Sequence, residues 1–258
     1  VKHYSNIPHA IGESIYVRPY AYDFFDSVFC CGPILKDNIR KIEKLRGLPK
    51  KKLFKTGVPH YDELINGKDE TKLDSSRKVV LIAPSWGPLS IFQAFGTEFV
   101  AKIAERYDVL VRPHPQMKIS QPEVYVEILA LENVIVDTGV TPAHAMSQAD
   151  LLFSDISGIM HEFAFIHEKP VIIVDHETGI DGLEGQLIGG KSELKERCRE
   201  FIFPILPSQM DDLVNIIETM FEQPVSSRIA EIRSELVYNF GRGGVVAAEQ
   251  IKEILKCL

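Results

Sequence analysis

An α/β chain built on a doubly wound parallel sheet is the architecture this sequence predicts, and two patterns predict it. Short apolar runs alternate with amphipathic helical stretches along most of the chain. The runs themselves are continuous Val/Ile/Leu rather than in–out alternating, which marks strands covered on both faces. Strand–helix repetition of that kind gives parallel strands joined by helical crossovers. The 258 residues suffice for one large domain or about one and a half ordinary ones.

Taken in order, Val79–Pro84 (VVLIAP) is a buried strand and Ser90–Arg106 a helix. Asp108–Arg112 (DVLVR) is the next strand, followed by a helix near Gln121–Leu131 and a strand at Asn133–Asp137 (NVIVD). Thr141–Gln148 is a short helix with Thr141 as its cap before Pro142. Leu151–Ser154 (LLFS) is a strand, Ile159–Ile166 a helix and Pro170–Val174 (PVIIV) a strand. Helices at Gln209–Phe221, Arg228–Val237 and Val245–Leu255 close the chain.

Residues 1–66 form a different unit, with strand-like Phe25–Cys31, helical Leu35–Leu45 and strand-like Leu53–Val58; they read as the end of another α/β domain. The polar stretch 67–77 is a linker, and 78–258 is the main domain.

Composition excludes several functions. Lys+Arg 29 against Asp+Glu 36 leaves a net charge of −7, which disfavours general nucleic-acid binding, because phosphate contacts need many cations. No apolar run approaches the roughly 18 residues of a membrane span. Four cysteines without a C-x-x-C pair indicate neither a zinc site, a redox motif nor a disulfide scaffold, and fit a reducing, cytoplasmic setting. The start of the chain, from Val1 to Tyr4, has no signal-peptide apolar core. His167, His176 and Glu177 lack metal-ligand spacing, and no H-E-x-x-H, strand-end D-x-D, P-loop or G-x-G-x-x-G is present, so no bound metal or dinucleotide is expected. Ser85 has no G-x-S-x-G elbow around it, which argues against an α/β-hydrolase. Arg46–Lys55 (RGLPKKKLFK) is the one basic cluster; it reads as a solvated loop, with acidic lipid headgroups or phosphates as the functional alternative.

In an open parallel sheet, ligands bind outside the carboxyl ends of the strands. Pro84-Ser85-Trp86-Gly87, Arg112-Pro113-His114-Pro115, Asp137-Thr138-Gly139 and Asp155-Ile156-Ser157-Gly158 all fall there, and the four should converge on one crevice. Ser157-Gly158 at a helix start suits an anion, through unpaired backbone N–H groups and a hydroxyl; the structural alternative is a plain helix cap. Arg112 and His114, stiffened by Pro113 and Pro115, suit a pyrophosphate or phosphodiester leaving group, the alternative being a rigid turn with an exposed His. Glu162 is placed to accept from ribose hydroxyls or to favour the N-terminal half of its helix. His161 precedes Glu162 on that helix and should face elsewhere.

These residues resemble a known family. Ala149–Glu177 (ADLLFSDISGIMHEFAFIHEKPVIIVDHE) is similar to the signature aD-hhhTDYSShhhDFhhhxKPhhhh of CDP-glycerol glycerophosphotransferases, the teichoic-acid primases and polymerases. Further stretches agree in order: Phe54–Leu64 (FKTGVPHYDEL) with GxPRxDxL, Leu81–Trp86 (LIAPSW) with hhaPTwR, Val111–Pro115 (VRPHP) with hhxHP, and Asn239–Ala247 (NFGRGGVVA) with the closing dGxa. Ile7–Glu13 (IPHAIGE) stands where the family has HGxxxK. Departures are Gly158 for the second paired serine, Ile156 for the Tyr, Glu162 for the helix Asp, Gly87 for the Arg after the Trp, and Ala10 for the Gly after the His.

The resemblance implies a glycosyltransferase-B-type fold of two Rossmann-like domains. This chain would be the C-terminal, donor-binding half (78–258) plus the end of the acceptor-side domain (1–66). It implies transfer of a glycerol phosphate-like alcohol phosphate from a CDP-activated donor to a hydroxyl on a cell-wall or capsular glycan or glycolipid. Carried over by position, His9 is the base for the acceptor hydroxyl. His114, with Arg112, stabilises the leaving pyrophosphate charge. Ser85, Trp86, Asp155, Ser157 and Gly158 line the donor phosphate and nucleotide, Thr141 contacts phosphate and Glu162 holds the ribose. Peripheral contact with the inner face of the membrane follows for lipid-linked acceptors, and Arg46–Lys55 is the stretch that offers residues for it. The alternatives are a nucleotide-sugar glycosyltransferase of the same fold and a nucleotide-binding module whose catalysis has decayed.

Overall fold

The computed structural model describes residues 2–16, 18–68, 76–175 and 184–256. It contains nine strands in two parallel sheets among those residues. The first sheet runs β1-β2-β3, from Ser5–Asn6, Ser27–Cys30 and Lys52–Lys55. The second has six strands: β4 Val79–Ala83, β5 Asp108–Val111, β6 Ile135–Val136, β7 Leu151–Ser154, β8 Val171–Val174 and β9 Ile202–Ile205. Its order is β6-β5-β4-β7-β8-β9. Numbered within the sheet this is 3-2-1-4-5-6, the doubly wound order whose direction of winding reverses between the first and fourth strands. Here those two strands are β4 and β7, paired from Val80↔Leu151 to Ala83↔Ser154.

The continuous apolar runs behave as their composition dictates. Every residue of β4, β7 and β8 is buried. Val80, Ile82, Val109, Val111, Phe153 and Ile172 meet Phe99, Val100 and Ile103 in one core.

The chain divides into two compact units. One comprises Gly67–Glu177 with Arg199–Ala230, and the other Val1–Asn66 with Thr178–Cys198 and Glu231–Leu258. Residues Glu231–Leu258, expected as part of a single domain over 78–258, therefore cluster with Val1–Asn66. The reason is local. Asp62 accepts hydrogen bonds from the Gly243 and Gly244 amides (3.1 and 2.7 Å), so it caps the helix Gly243–Leu255. Gly57, at φ +94, lies so close to the last turn of chain before that helix that an added Cβ would sit 2.1 Å from the Tyr238 carbonyl oxygen. Two stretches read separately in the sequence, GVPHYDEL and NFGRGGVVA, are thus halves of one packing device.

Most expected elements form, and the differences have identifiable causes. The helix expected over Ser90–Arg106 is two, Ile91–Phe95 and Glu98–Ala104, interrupted at Gly96-Thr97. Thr141 does not cap the next short helix, which runs Ala143–Gln148 with Pro142 at the cap and no side-chain capping bond. Strand β9 went unread because Pro204 breaks its pattern; β9 lies at the edge of the sheet, where a residue without an N–H is tolerated. Residues 69–75 of the expected linker lie outside the described residues, as do His176, Glu177 and Cys257.

Cys30, Cys31 and Cys198 are buried free thiols. Burial pushes Cys30 and Cys198 up to about 12 and Cys31 up to about 11, so almost no thiolate exists at neutral pH. Iodoacetamide at pH 8 should leave all three unmodified in the folded protein and alkylate them in urea. Peptide mapping decides this, and rapid labelling of any of the three under native conditions would contradict the packing described.

Candidate functional site

All of the predicted donor-side residues lie in the six-stranded unit; Glu162 is on the helix Ile159–His167, and the others are on the loops that leave β4, β5, β6 and β7 at their carboxyl ends. That edge includes the reversal point between β4 and β7, where doubly wound sheets form a ligand crevice. His9 belongs to the other unit, on an exposed bend.

Buried side chains hold the loops by bonding backbone groups. Asp155 is 0% exposed. Its carboxylate accepts from the Ser85 amide through both oxygens (2.8 and 3.0 Å) and from the Ile91 amide (3.0 Å). The loop after β7 thereby fixes both ends of the loop after β4. Burial raises the carboxyl above the usual Asp range, against the opposing pull of hydrogen bonds from Ser85, Ile91 and Ser157.

Arg112 is also buried. Its guanidinium pairs with Asp137 (2.6 Å) and donates to the Gly139 carbonyl (3.0 Å), while the Gly139 amide bonds back to Asp137 (2.9 Å). This network joins the loops after β5 and β6. Directly after Gly139 in the chain come Val140, 99% exposed, and the exposed Thr141. Arg112 is therefore engaged in building the rim, whereas the sequence reading gave it a direct role at a pyrophosphate.

His114 is half-buried on the loop between Arg112 and the following helical turn. The Gln116 amide donates to its Nδ1 (3.1 Å). A nitrogen that accepts an N–H carries no proton of its own, so a neutral ring holds its proton at Nε2. Burial also lowers the His114 pKa; the charge of Asp155 opposes that shift and the charge of Arg112 adds to it. Burial thus favours the neutral ring, with Nε2–H as a donor. Trp86, 50% exposed, lies beside it with ring centroids 6.4 Å apart.

At the fourth loop the helix is Ile159–His167, with Gly158 at its cap position and no side-chain capping bond. Ser157 therefore does not serve as a helix cap, which was its structural alternative. Ser157 is half-buried and Gly158 exposed. Glu162 lies on the first turn and is 9% exposed. Its neighbour His161 is also buried, and burial drives the ring down to about 4, so it is neutral at any physiological pH.

Sequence reading missed the residues that fasten this site. Gln121, Asp137 as an Arg112 partner, and the loop-fixing function of Asp155 leave no periodic trace, because each bonds backbone 2 to 70 residues away. Among the described residues no group of three or more His, Cys, Asp or Glu side chains is placed to hold a metal.

The basic run in the other unit is engaged internally. Arg46 pairs with Asp23 and Glu184, and Lys51 donates to the Asp23 and Phe25 carbonyls. Lys52 pairs with Glu253, and Lys55 lies over the Tyr238 ring. No helix among the described residues is long and apolar enough to cross a membrane.

A model of the family described as CDP-Glycerol:Poly(glycerophosphate) glycerophosphotransferase matches residues 36–179, more than half of the chain. No curated protein sequence matches. Among solved structures, the wall teichoic acid polymerase TagF is 16% identical with a TM-score of 0.54, over 90% of this chain and 59% of that one. A protein assigned as a UDP-N-acetylglucosamine 2-epimerase from Listeria monocytogenes is 13% identical with a TM-score of 0.58, over 91% of this chain and 61% of that one. Another UDP-N-acetylglucosamine 2-epimerase gives 13% and 0.51, over 89% and 58%. At these identities the likeness concerns the fold, which is α/β, with a Rossmann-like sheet of the glycosyltransferase-B type. The chain spans about three fifths of the length of these solved relatives.

Proposed function

The chain belongs to the CDP-glycerol:poly(glycerophosphate) glycerophosphotransferase family, and from that premise we propose that it carries the donor side of a transferase acting in teichoic-acid or related capsular polymer synthesis. The reaction moves a glycerol phosphate-like group from a CDP-activated donor to a hydroxyl of a glycan or glycolipid acceptor. The observation that carries this reading is the set of fastened loops at the β4/β7 reversal, with a neutral His114 whose Nε2 bears the proton.

In the proposed reaction the acceptor oxygen attacks the phosphorus that bears the alcohol. The bond from that phosphorus to the oxygen of CMP breaks, CMP departs with the electron pair, and the acceptor proton passes to a base. His9 is the proposed base. His114 donates its Nε2 hydrogen to the pyrophosphate oxygen that gains charge. Ser157 and the Gly158 amide take the donor phosphate, Thr141 adds a hydroxyl, Glu162 faces the ribose, and Trp86 and Ser85 line the nucleotide. Arg112 and Asp155 serve by holding the loops, and the positive charge of Arg112 adds to the local field. Fixed donors of this kind lower a barrier because they need no reorganisation when charge develops. The acceptor, where lipid-linked, would bring the protein to the inner face of the membrane. The basic run supports that contact weakly, since Arg46, Lys51, Lys52 and Lys55 already have internal partners.

Trp86 is the single tryptophan of the chain, so fluorescence excited at the red edge, where tyrosine does not absorb, reports on this site alone. Titration with CMP and CDP-glycerol should change Trp86 emission. CMP should bind at least about tenfold more tightly than UMP, a difference of about 1.4 kcal/mol. Preference for uridine nucleotides would move the assignment to a sugar transferase. Absence of any nucleotide binding, by calorimetry as well as fluorescence, would overturn the donor-side reading.

A further inference from the structure

The loop after β4 has a fastening that no motif of the sequence announces. Gln121 stands just before the helix Pro122–Leu129. Its side-chain amide meets Gly87 at two points: the Gly87 N–H donates to Oε1 (2.8 Å), and Nε2 lies 3.4 Å from the Gly87 carbonyl oxygen. The same Nε2 donates to Gln93 Oε1 (2.7 Å), on the helix that follows the loop. One planar amide thus imitates a strand partner for Gly87 and ties it to the helix Ile91–Phe95 that follows. Gly87 has φ +89, a conformation that L side chains rarely adopt, and the space around its Cα is open. A side chain here would meet no neighbour, and the turn is held by hydrogen bonds: those from Gln121 and the one that the Ser90 amide donates to the Gly87 carbonyl (3.0 Å).

Trp86 precedes Gly87 directly and lies beside His114. His114 and Gln121 flank the single helical turn Met117–Ser120. The side chain that fixes the Trp86 turn therefore comes from the end of the same stretch that bears His114.

We infer that Gln121 is a positioning residue of this site, holding the Trp86–Gly87 turn at a set distance from the His114 loop so that a ligand meets a formed wall. A loop ordered in advance reduces the ordering that binding must otherwise bring about. This rests on the proposed nucleotide site for its functional consequence, but the ordering of Trp86 is measurable without any ligand.

The test uses the whole chain and Trp86 as its own probe. Gln121→Ala should red-shift Trp86 emission and add a fast component to its anisotropy decay. The melting temperature should stay within a few degrees, since the side chain is only half-buried. Kd for CMP should rise about five- to tenfold in Gln121→Ala, and in a turnover assay with CDP-glycerol KM should rise while kcat changes less than twofold. Gln121→Glu keeps the acceptor for the Gly87 N–H and loses the donor, so it should fall between wild type and Gln121→Ala. Anisotropy and emission of Gln121→Ala indistinguishable from wild type would overturn the inference. So would a loosened Trp86 with CMP affinity within twofold of wild type. If wild type itself does not respond to CMP, the nucleotide reading fails, and the anisotropy comparison still decides whether Gln121 orders the turn.

Discussion

His114→Ala is expected to lower kcat for CDP-glycerol-dependent transfer by about 10²–10³-fold, the usual cost of removing one fixed donor to a developing charge. The size of the loss follows from the tautomer. With Nδ1 accepting from the Gln116 amide, the only hydrogen that the neutral ring can offer is on Nε2. Replacement by Gln places an amide N–H near the former Nε2 and should restore about tenfold over His114→Ala. Replacement by Asn reaches only the Nδ1 position and should resemble Ala. The pH profile adds an independent check. Because burial lowers the His114 pKa, the competent neutral form persists down to and below the ordinary His range and is the form present at all higher pH. Activity should therefore have no alkaline limb from this residue and an acid limb displaced below the ordinary His range. Protonating Nδ1 would set two donors against each other at Gln116, so the same acid limb should appear in stability: the contribution is present above the unfolded pKa and is lost as pH falls through the lowered folded value. A His114→Ala enzyme within threefold of wild type would remove His114 from the chemistry.

The sequence made the sheet legible and left its fastenings hidden, and the two have different physical origins. Runs such as VVLIA and LLFS have no polar face, so burial on both sides is the one environment that suits them. The loops they end in could be located by the same logic, because ligands of such sheets gather at the carboxyl ends. What a loop residue does once there depends on partners distant in sequence. Asp155 and Ser85 are 70 residues apart and Arg112 and Asp137 are 25 apart. Nothing local distinguishes an Arg that faces solvent from one paired with a buried carboxylate. Sequence reasoning assigns Arg112 and Asp155 to ligand contact; the structure adds that both side chains bond neighbouring loops. The family resemblance singles out the same loops, and it carries no information on whether a matching polar residue faces a ligand or the backbone. The departure at Gly87 shows the converse. Where the resemblance leads one to expect an Arg, this chain has a backbone at φ +89 bonded by Gln121.

Asp155→Ala should destabilise the protein by about 3 kcal/mol, because the Ser85 and Ile91 amides lose a buried acceptor and each unsatisfied group costs about 1–3 kcal/mol. Asp155→Asn should cost less. Its single oxygen can occupy the position that serves both amides, but its NH2 then faces the Ser85 N–H, which now bonds to both carboxylate oxygens. The pH dependence separates a buried carboxylate from a merely polar filler. Burial outweighs the amide bonds and holds this carboxyl above the usual Asp range. An acid with a raised folded pKa contributes stability that is complete below the unfolded value, near pH 4, and that is lost as pH rises through the folded value. Asn cannot ionise and lacks that step. Urea titrations from pH 4 to 7 should therefore show the gap between wild type and Asp155→Asn narrowing as pH rises. A gap that widens instead would mean that hydrogen bonding to the ionised form dominates, and that Asp155 holds the β4 loop as a stabilised anion. In either case nucleotide affinity should fall in parallel with the loss of order at Trp86, because Ser85 and Ile91 bracket the turn that carries the tryptophan. A variant that is less stable yet binds CMP with wild-type affinity would separate the fold's need for this carboxylate from the site's.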